Sequence, residues 1–223
     1  MNRFWSLGVV VSLALLFTTA CGSSGHTRVR FMNASPDVSS LDFLVDGNAI
    51  ASNVAYGTAS NYMSVSSGSR HVQVEPAGTS SFLIDQNSSF NSATDSTFIA
   101  ANFSTSISAL ILTDDNSAPA AGNMKLRLVN AVPAIGPVDV YIVAPGTDIN
   151  TVSPTISNLA LFAESGYQSL PAGSYEAIFT VPGQKFVYID SGSLTFTAGQ
   201  IRTIVALNDQ VRGYTMTVLS DVN

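Results

Sequence analysis

Three features of the sequence predict an all-β fold, two tandem Ig-like β-sandwich domains after a cleaved lipoprotein signal peptide. A block of residues occurs twice, the composition favours strands and turns, and an apolar N-terminus stops at the only cysteine. The block Arg127-Leu-Val-Asn-Ala-Val-Pro-Ala-Ile-Gly-Pro-Val-Asp139 has an edited copy in Arg30-Phe-Met-Asn-Ala-Ser-Pro-Asp-Val-Ser-Ser-Leu-Asp42. Arg30 thus maps to Arg127, Asn33 to Asn130, Pro36 to Pro133 and Asp42 to Asp139, all at an offset of 97 (127 minus 30).

Later landmarks drift by small steps. Tyr62-x-x-Val65-x-x-Gly68 matches Tyr167-x-x-Leu170-x-x-Gly173 at 105 (167 minus 62), Thr97-Phe-Ile-Ala100 matches Thr203-Ile-Val-Ala206 at 106 (203 minus 97), and Leu112-Thr-Asp114 matches Leu219-Ser-Asp221 at 107 (219 minus 112). Growing offsets mean short loop insertions in the second copy. A period of roughly 100 residues is a whole domain rather than a solenoid unit, so the chain reads as a tandem duplication. The expected divisions are a signal peptide at 1–20, a lipidated tether at 21–26, a first repeat at 27–113, a linker at 114–123 and a second repeat at 124–223. Domains of that size bury a sandwich core without disulfides.

The N-terminus has a basic residue at Arg3, an apolar run from Leu7 to Phe17 and Thr-Thr-Ala before Cys21. Such a run is a secretory signal, too short for a stable membrane span. A single cysteine directly after a small residue, followed by Gly22-Ser-Ser-Gly25, has the layout of a bacterial lipoprotein signal, with the Cys21 thiol as the lipidation site. An unpaired thiol in an oxidising compartment is otherwise a liability. The expected address is the cell envelope, extracytoplasmic, at the outer membrane if the cell has two membranes. Removing the signal leaves 8 basic and 15 acidic side chains, a charge of 8 − 15 = −7. That balance offers no electrostatic footprint for nucleic acid.

Charged residues make up only 11% of the chain, and no stretch shows a useful 3.6-residue period, so strands dominate. In the opening strand Val29, Phe31 and Asn33 alternate with Arg28, Arg30 and Met32. In its copy Leu126, Leu128 and Asn130 alternate with Lys125, Arg127 and Val129. The basic residues are therefore expected to point outward. The next strand sets Leu41, Phe43 and Val45 against Asp42, Leu44 and Asp46, with Val138, Val140 and Ile142 opposite Asp139 and Tyr141 in the copy. If these strands are neighbours, Arg30 pairs with Asp42 and Arg127 with Asp139 across the outer face.

Asn33 and Asn130 end their strands before a Pro-containing loop, where a short amide forms an Asx-turn; the functional alternative is a ligand contact. Asp46-Gly47 between apolar runs signals a hairpin with both φ angles positive. Calcium binding by Asp37, Asp42 and Asp46 lacks the spaced oxygen-rich loop it would need. Tyr62 and Tyr167 open strand-turn-strand units and are expected to lock a sandwich corner. Remaining strands are expected near Ser81 to Asp85, Thr97 to Phe103, Ser108 to Thr113, Lys185 to Asp190, Ile201 to Asn208 and Tyr214 to Leu219.

The Arg-x-x-Asn-Ala-x-Pro motif with its apolar-Asp sequel, followed by Tyr-x-x-apolar-x-x-Gly, resembles the DUF4397 family of bacterial envelope proteins, a family of unknown function. The resemblance covers nearly all of the mature chain as two copies. It implies an Ig-like sandwich and often a lipoprotein, and it supplies no catalytic residues.

Nucleophilic hydrolysis needs Ser or Cys beside a His that a carboxylate orients. The mature chain offers only His26, in the tether, and His71, with no Gly-x-Ser-x-Gly elbow. Two distant His without a free Cys do not make a zinc site. Nucleotide loops are absent. The expectation is no catalytic residues, no metal and no cofactor. A lipid-anchored binding or adhesion module for an extracytoplasmic glycan, peptide or envelope protein leads, with a structural spacer as alternative and a hydrolase centred on His71 behind. The loop Ala144-Pro-Gly-Thr-Asp-Ile-Asn-Thr-Val-Ser-Pro154, an insertion relative to the first copy, is the expected contact.

Overall fold

The computed structural model describes residues 26–209 and 213–221. The expected signal peptide, Cys21 and the expected tether up to Gly25 lie outside the described residues, as do 210–212 and 222–223. The first repeat supplies β1 (His26–Ala34), β2 (Ser40–Val45), β3 (Asn48–Ala55), β4 (Met63–Ser66), β5 (Gly68–Pro76), β6 (Ile84–Phe90), β7 (Asp95–Ala101) and β8 (Ser108–Asp114). The second supplies β9 (Asn123–Asn130), β10 (Val138–Val143), β11 (Ile156–Leu159), β12 (Ala163–Glu164), β13 (Gln168–Pro171), β14 (Gly173–Thr180), β15 (Val187–Asp190), β16 (Leu194–Phe196), β17 (Ile201–Asp209) and β18 (Gly213–Ser220). The all-β, tandem-sandwich expectation holds.

Each repeat is two sheets. The first pairs β4-β1-β7-β8 with β3-β2-β5-β6, and the second pairs β12-β9-β17-β18, with β13 also on β9, with β11-β10-β14-β15, where β16 also lies on β14. In both repeats the opening strand runs parallel to the penultimate one, β1 with β7 and β9 with β17. The period-2 reading of inner faces is correct: Val29, Phe31, Leu41 and Phe43 share one core, Leu126, Leu128, Val138 and Val140 the other. Phe31, Phe43 and Phe98 fill the first with ring centroids 5.2 to 6.2 Å apart. Aromatic packing of that spacing adds to the burial of ring area.

A third apolar cluster lies between the repeats. Met32, Ile99 and Leu112 of the first meet Val129, Val205 and Leu219 of the second, and all six are buried. These residues belong to the faces of β1, β7, β8, β9, β17 and β18 that point away from their own cores. The two sandwiches therefore pack sheet on sheet and the molecule is a stack of four layers. The face expected to meet solvent instead meets the other repeat.

Several strand limits differ from expectation. The strand expected at Ser81 to Asp85 runs Ile84–Phe90, because an edge strand tolerates the polar run Asp85-Gln-Asn-Ser-Ser89 with one face exposed. The expected linker loses its ends to strands: Asp114 closes β8 and Asn123 opens β9. Lys125 ties down the stretch between them, its Nζ donating to Asp115 Oδ2 at 2.6 Å and to the Ser117 carbonyl at 2.9 Å.

Candidate binding surface

The repeated arginines form no pair with the repeated aspartates of the next strand, because β1 and β2 lie in different sheets, as do β9 and β10. They cross between repeats instead. Arg30, 2% exposed, donates from Nη2 to Asp221 Oδ1, from Nη1 to the Ser220 carbonyl at 2.9 Å and from Nε to Thr97 Oγ1 at 2.8 Å. Arg127, fully buried, donates from Nη2 to Asp114 Oδ1 at 2.5 Å, from Nη1 to the Thr113 carbonyl at 3.2 Å and from Nε to Thr203 Oγ1 at 3.2 Å.

The tyrosines complete the pattern. Tyr62 donates its phenol to Asp114 Oδ2 and Tyr167 to Asp221 Oδ2, both at 2.6 Å, and each ring lies under the arginine of its own repeat at 5.0 and 4.6 Å. They bind a carboxylate at the interface rather than a corner backbone. Burial, ahead of the neighbouring charges, pushes both phenols well above the usual tyrosine range. Burial works against the charge of Arg127, but Asp114, Tyr167 and Asp221 outweigh it and raise its pKa. Every oxygen of the two carboxylates has a donor, so this clasp is a structural device with no group left for a ligand.

Asp42 and Asp139 hold loops. Asp42 accepts from the backbone N–H of Asn53 at 2.6 Å and of Gly78 at 3.1 Å; Asp139 accepts from Asn158 and Gly183, both at 2.7 Å. Asn33 and Asn130 are fully buried and form the Asx-turns, accepting from the N–H of Ser35 and Val132 while their amides donate to two carbonyls each. Pro36 and Pro133 follow in those loops. Asp46 and Gly47 turn β2 into β3 with φ of 50° and 78°. Asp37 is bound by Ser104 and Ser35, Asp42 by two amides and Asp46 by His71 and Arg70, so the three aspartates serve separate turns. Among the described residues no three His, Cys, Asp or Glu side chains gather to hold a metal. His71 is exposed on the outer face, 2.5 Å from Asp85, with no Ser or Cys in its side-chain hydrogen bonds among the described residues.

The inserted loop is packed down. Asp148 caps a short 3₁₀ turn, Ile149–Thr151, and Ile149 is buried with Tyr141 and Ile178 on the outer face of β10 and β14. Lys185 Nζ donates to the Tyr141 hydroxyl at 2.8 Å and to the carbonyls of Ile149 and Val152, and sits 4.5 Å over the Tyr141 ring.

The open aromatic surface lies elsewhere. Between β15 and β18 a groove of about 350 Å³ is lined by Tyr188, Ile189, Asp190, Ser191, Tyr214 and Thr215. Tyr188 meets Tyr214 edge-on at 5.3 Å and Phe186 at 5.6 Å, and Phe186 is 64% exposed. The chain has seven tyrosines. Five of their hydroxyls are bonded, those of Tyr56, Tyr62, Tyr141, Tyr167 and Tyr175. The two without a protein partner among the described residues are Tyr188 and Tyr214, side by side in the groove. Sequence reasoning placed both on strands and missed them as a site. The signal was the duplication itself: Ile84 pairs with Val74 as Ile189 pairs with Phe179, so Leu83 holds the place of Tyr188, and Ile107 precedes β8 where Tyr214 stands in β18.

A second cavity, about 400 Å³, opens at the seam of the repeats beside Tyr56, Leu207, Asn208 and Met216. Tyr56 donates across it to the Asn208 carbonyl at 2.6 Å, and burial pushes its phenol up to about 12.

With the geometry in view, the family match is direct. Residues 27–141 match the family described as "Domain of unknown function (DUF4397)", just over half of the chain. This chain belongs to the DUF4397 family. The matched span covers the first repeat and runs through β9 into β10. No curated protein matches the chain. Among solved structures, the family CBM26 module from Eubacterium rectale Amy13K, in complex with maltoheptaose, aligns over 89% of this chain and 98% of its own at 10% identity. Its TM-score of 0.27 carries no argument about function.

Proposed function

We propose that this DUF4397 protein is a non-enzymatic binding module of the cell envelope, held to the membrane by a lipid on Cys21 and offering its second sandwich to an extracytoplasmic glycan, peptide or protein. The observation that carries the reading is the pair of phenols in the β15–β18 groove, without a protein partner among the described residues, beside exposed Phe186. Tyrosine gives a large rigid apolar surface with a hydrogen-bonding tip, at small cost in side-chain entropy, and such residues dominate recognition energies. Where folding needs a phenol in this protein, it finds it a partner. These two are left for something outside.

The lipid anchor is supported by the apolar run ending in Thr-Thr-Ala before Cys21 and by the Gly22-Ser-Ser-Gly25 stretch after it. A spacer is the second reading, favoured by the buried clasp, which holds two sandwiches in one orientation as a stalk requires. Retention on envelope fractions separates the two. The binding reading expects wild-type protein to be retained and the Tyr188→Ala/Tyr214→Ala variant to wash through; equal behaviour of both favours the spacer. Labelled fatty acid on wild type and none on Cys21→Ser is the expected result for the anchor.

A further inference from the structure

The edges of the four sheets are not equally protected. β4, β11, β12, β13 and β15 have four residues or fewer, β3 joins its neighbour through two register shifts, and β6 carries exposed Asp85. Short strands, bulges and charges are the usual means of keeping another chain from adding to a sheet. Two edges lack them. β8 and β18 pair without a break along their whole length with β7 and β17, β8 is charged only at its terminal Asp114, and β18, Gly-Tyr-Thr-Met-Thr-Val-Leu-Ser, has no charge and no proline. Beyond its ladder to β17, the β18 backbone has one partner among the described residues, Arg30, which donates to the Ser220 carbonyl.

We propose that β18 accepts an extended segment of a partner polypeptide as an added strand, with side chains of that segment laid on Tyr188, Tyr214 and Phe186. This rests on the binding reading above and narrows it to a peptide ligand. An open ladder of backbone donors and acceptors is complemented by another backbone, while pockets beside it select alternate side chains. An oligosaccharide would satisfy the rings and hydroxyls but leave that ladder open. The segment is uncharged or basic, because Asp190 lines the groove and the mature chain carries a net charge of 8 − 15 = −7. β8 is the internal control. It has the same open edge, but Leu83 and Ile107 stand where the second repeat has its tyrosines.

The test pans a phage-displayed library of random peptides, about twelve residues long to span a strand with flanks, on the full chain. The selected peptides are then measured on variants and by amide hydrogen exchange. The expected result is enriched peptides of alternating apolar pattern that protect amides within 213–220 and leave 108–114 unchanged. Thr215→Lys/Thr217→Lys, which adds charge to the edge, should weaken binding at least about tenfold, as should Tyr188→Ala/Tyr214→Ala, while Ser108→Lys has no effect. Exchange in the unliganded variants confirms that they fold. Peptides that bind without new protection in β18, or equally well to the lysine variant, would overturn strand addition. So would a panel of neutral oligosaccharides that binds through the two tyrosines without amide protection; the binding reading would then stand. If neither panel binds, both readings fail.

Discussion

In the first repeat, the outer face of the sheet holding β2 and β5 carries polar side chains, exposed Asp46 and His71 with half-buried Asp42 and Gln73. The matching face of the second carries Tyr141, Val143 and Ile178 and is roofed by the loop that Ile149 and Lys185 pin in place. The inter-sheet edge differs in the opposite sense. There the first repeat packs Leu83 and Ile107 against its core, whereas the second packs Tyr188 and Tyr214, whose hydroxyls have no protein partner among the described residues. What the copies share is the clasp, with the Asn33 and Asn130 turns and the loop contacts of Asp42 and Asp139. A duplicated chain has kept the parts that join its halves and changed the parts that face outward, and the changes make one copy sealed on its face and open at its edge.

The shared clasp has a specific physical task. The apolar contact of Met32, Ile99, Val129 and Val205 is non-directional, so by itself it would tolerate several orientations. Two buried Arg–Asp pairs, joined by Tyr62, Thr97, Tyr167 and Thr203 into one hydrogen-bonded network beside that contact, are directional and select one arrangement. A buried ion pair is weak evidence of net stability, because desolvation offsets much of the attraction, but breaking one strands a charge.

The largest effect should therefore come from the clasp. Arg127→Ala should cost about 3 to 5 kcal/mol in urea unfolding, and Arg30→Ala a comparable amount, since each leaves an aspartate buried without its cation. Arg127→Met combined with Asp114→Leu should lose less than Arg127→Ala alone. Next, Ile149→Ala should cost about 2 to 5 kcal/mol by opening a cavity under the loop, while His71→Ala on the open face of the first repeat stays within about 0.5 kcal/mol. Equal effects would erase the contrast between the two faces. Third, Asp139→Ala should cost about 1 to 3 kcal/mol by orphaning two amides, and more than Asp42→Ala, because Asp139 is 5% exposed and Asp42 only half-buried.

The smallest effect is at alkaline pH. Burial raises the folded pKa of Tyr56 to about 12, above the roughly 10 of a free phenol. The stabilisation is fully present below pH 10 and is lost as pH rises through 12, with Tyr62 and Tyr167, also raised, following. Tyr56→Phe should flatten that part of the pH–stability curve; an unchanged slope would show that the seam does not open there.

Much of the fold was legible because period 2 reports which face a side chain takes. Val29, Phe31, Leu126 and Leu128 are inside as read, and Asp46-Gly47 turns as its residue types require. The pattern does not report what covers a face. Arg30 and Arg127 do point away from their own cores, but their partners lie in the other repeat, and alternation carries no information on so distant a contact. The partners were nonetheless in view, as the repeated landmarks Leu112-Thr-Asp114 and Leu219-Ser-Asp221. The groove was hidden for a related reason: Tyr188 and Tyr214 sit on different strands, and only the pairing of sheets brings them within 5.3 Å. The inserted loop was read as free to contact a partner because its length was visible and its anchor was not; Lys185 follows it by some thirty residues.

The measurement that bears most directly on the account is native-state hydrogen exchange across the whole described chain, read strand by strand under increasing urea. If the clasp makes the two sandwiches one unit, the slowest amides of β1 and β9 open at the same free energy and with the same urea dependence, and Arg127→Ala lowers both together. In the same data β18 exchanges faster than β17, as an unoccupied edge should. Separate opening of β9 with β1 still protected, or a β18 as protected as β17, would contradict the account.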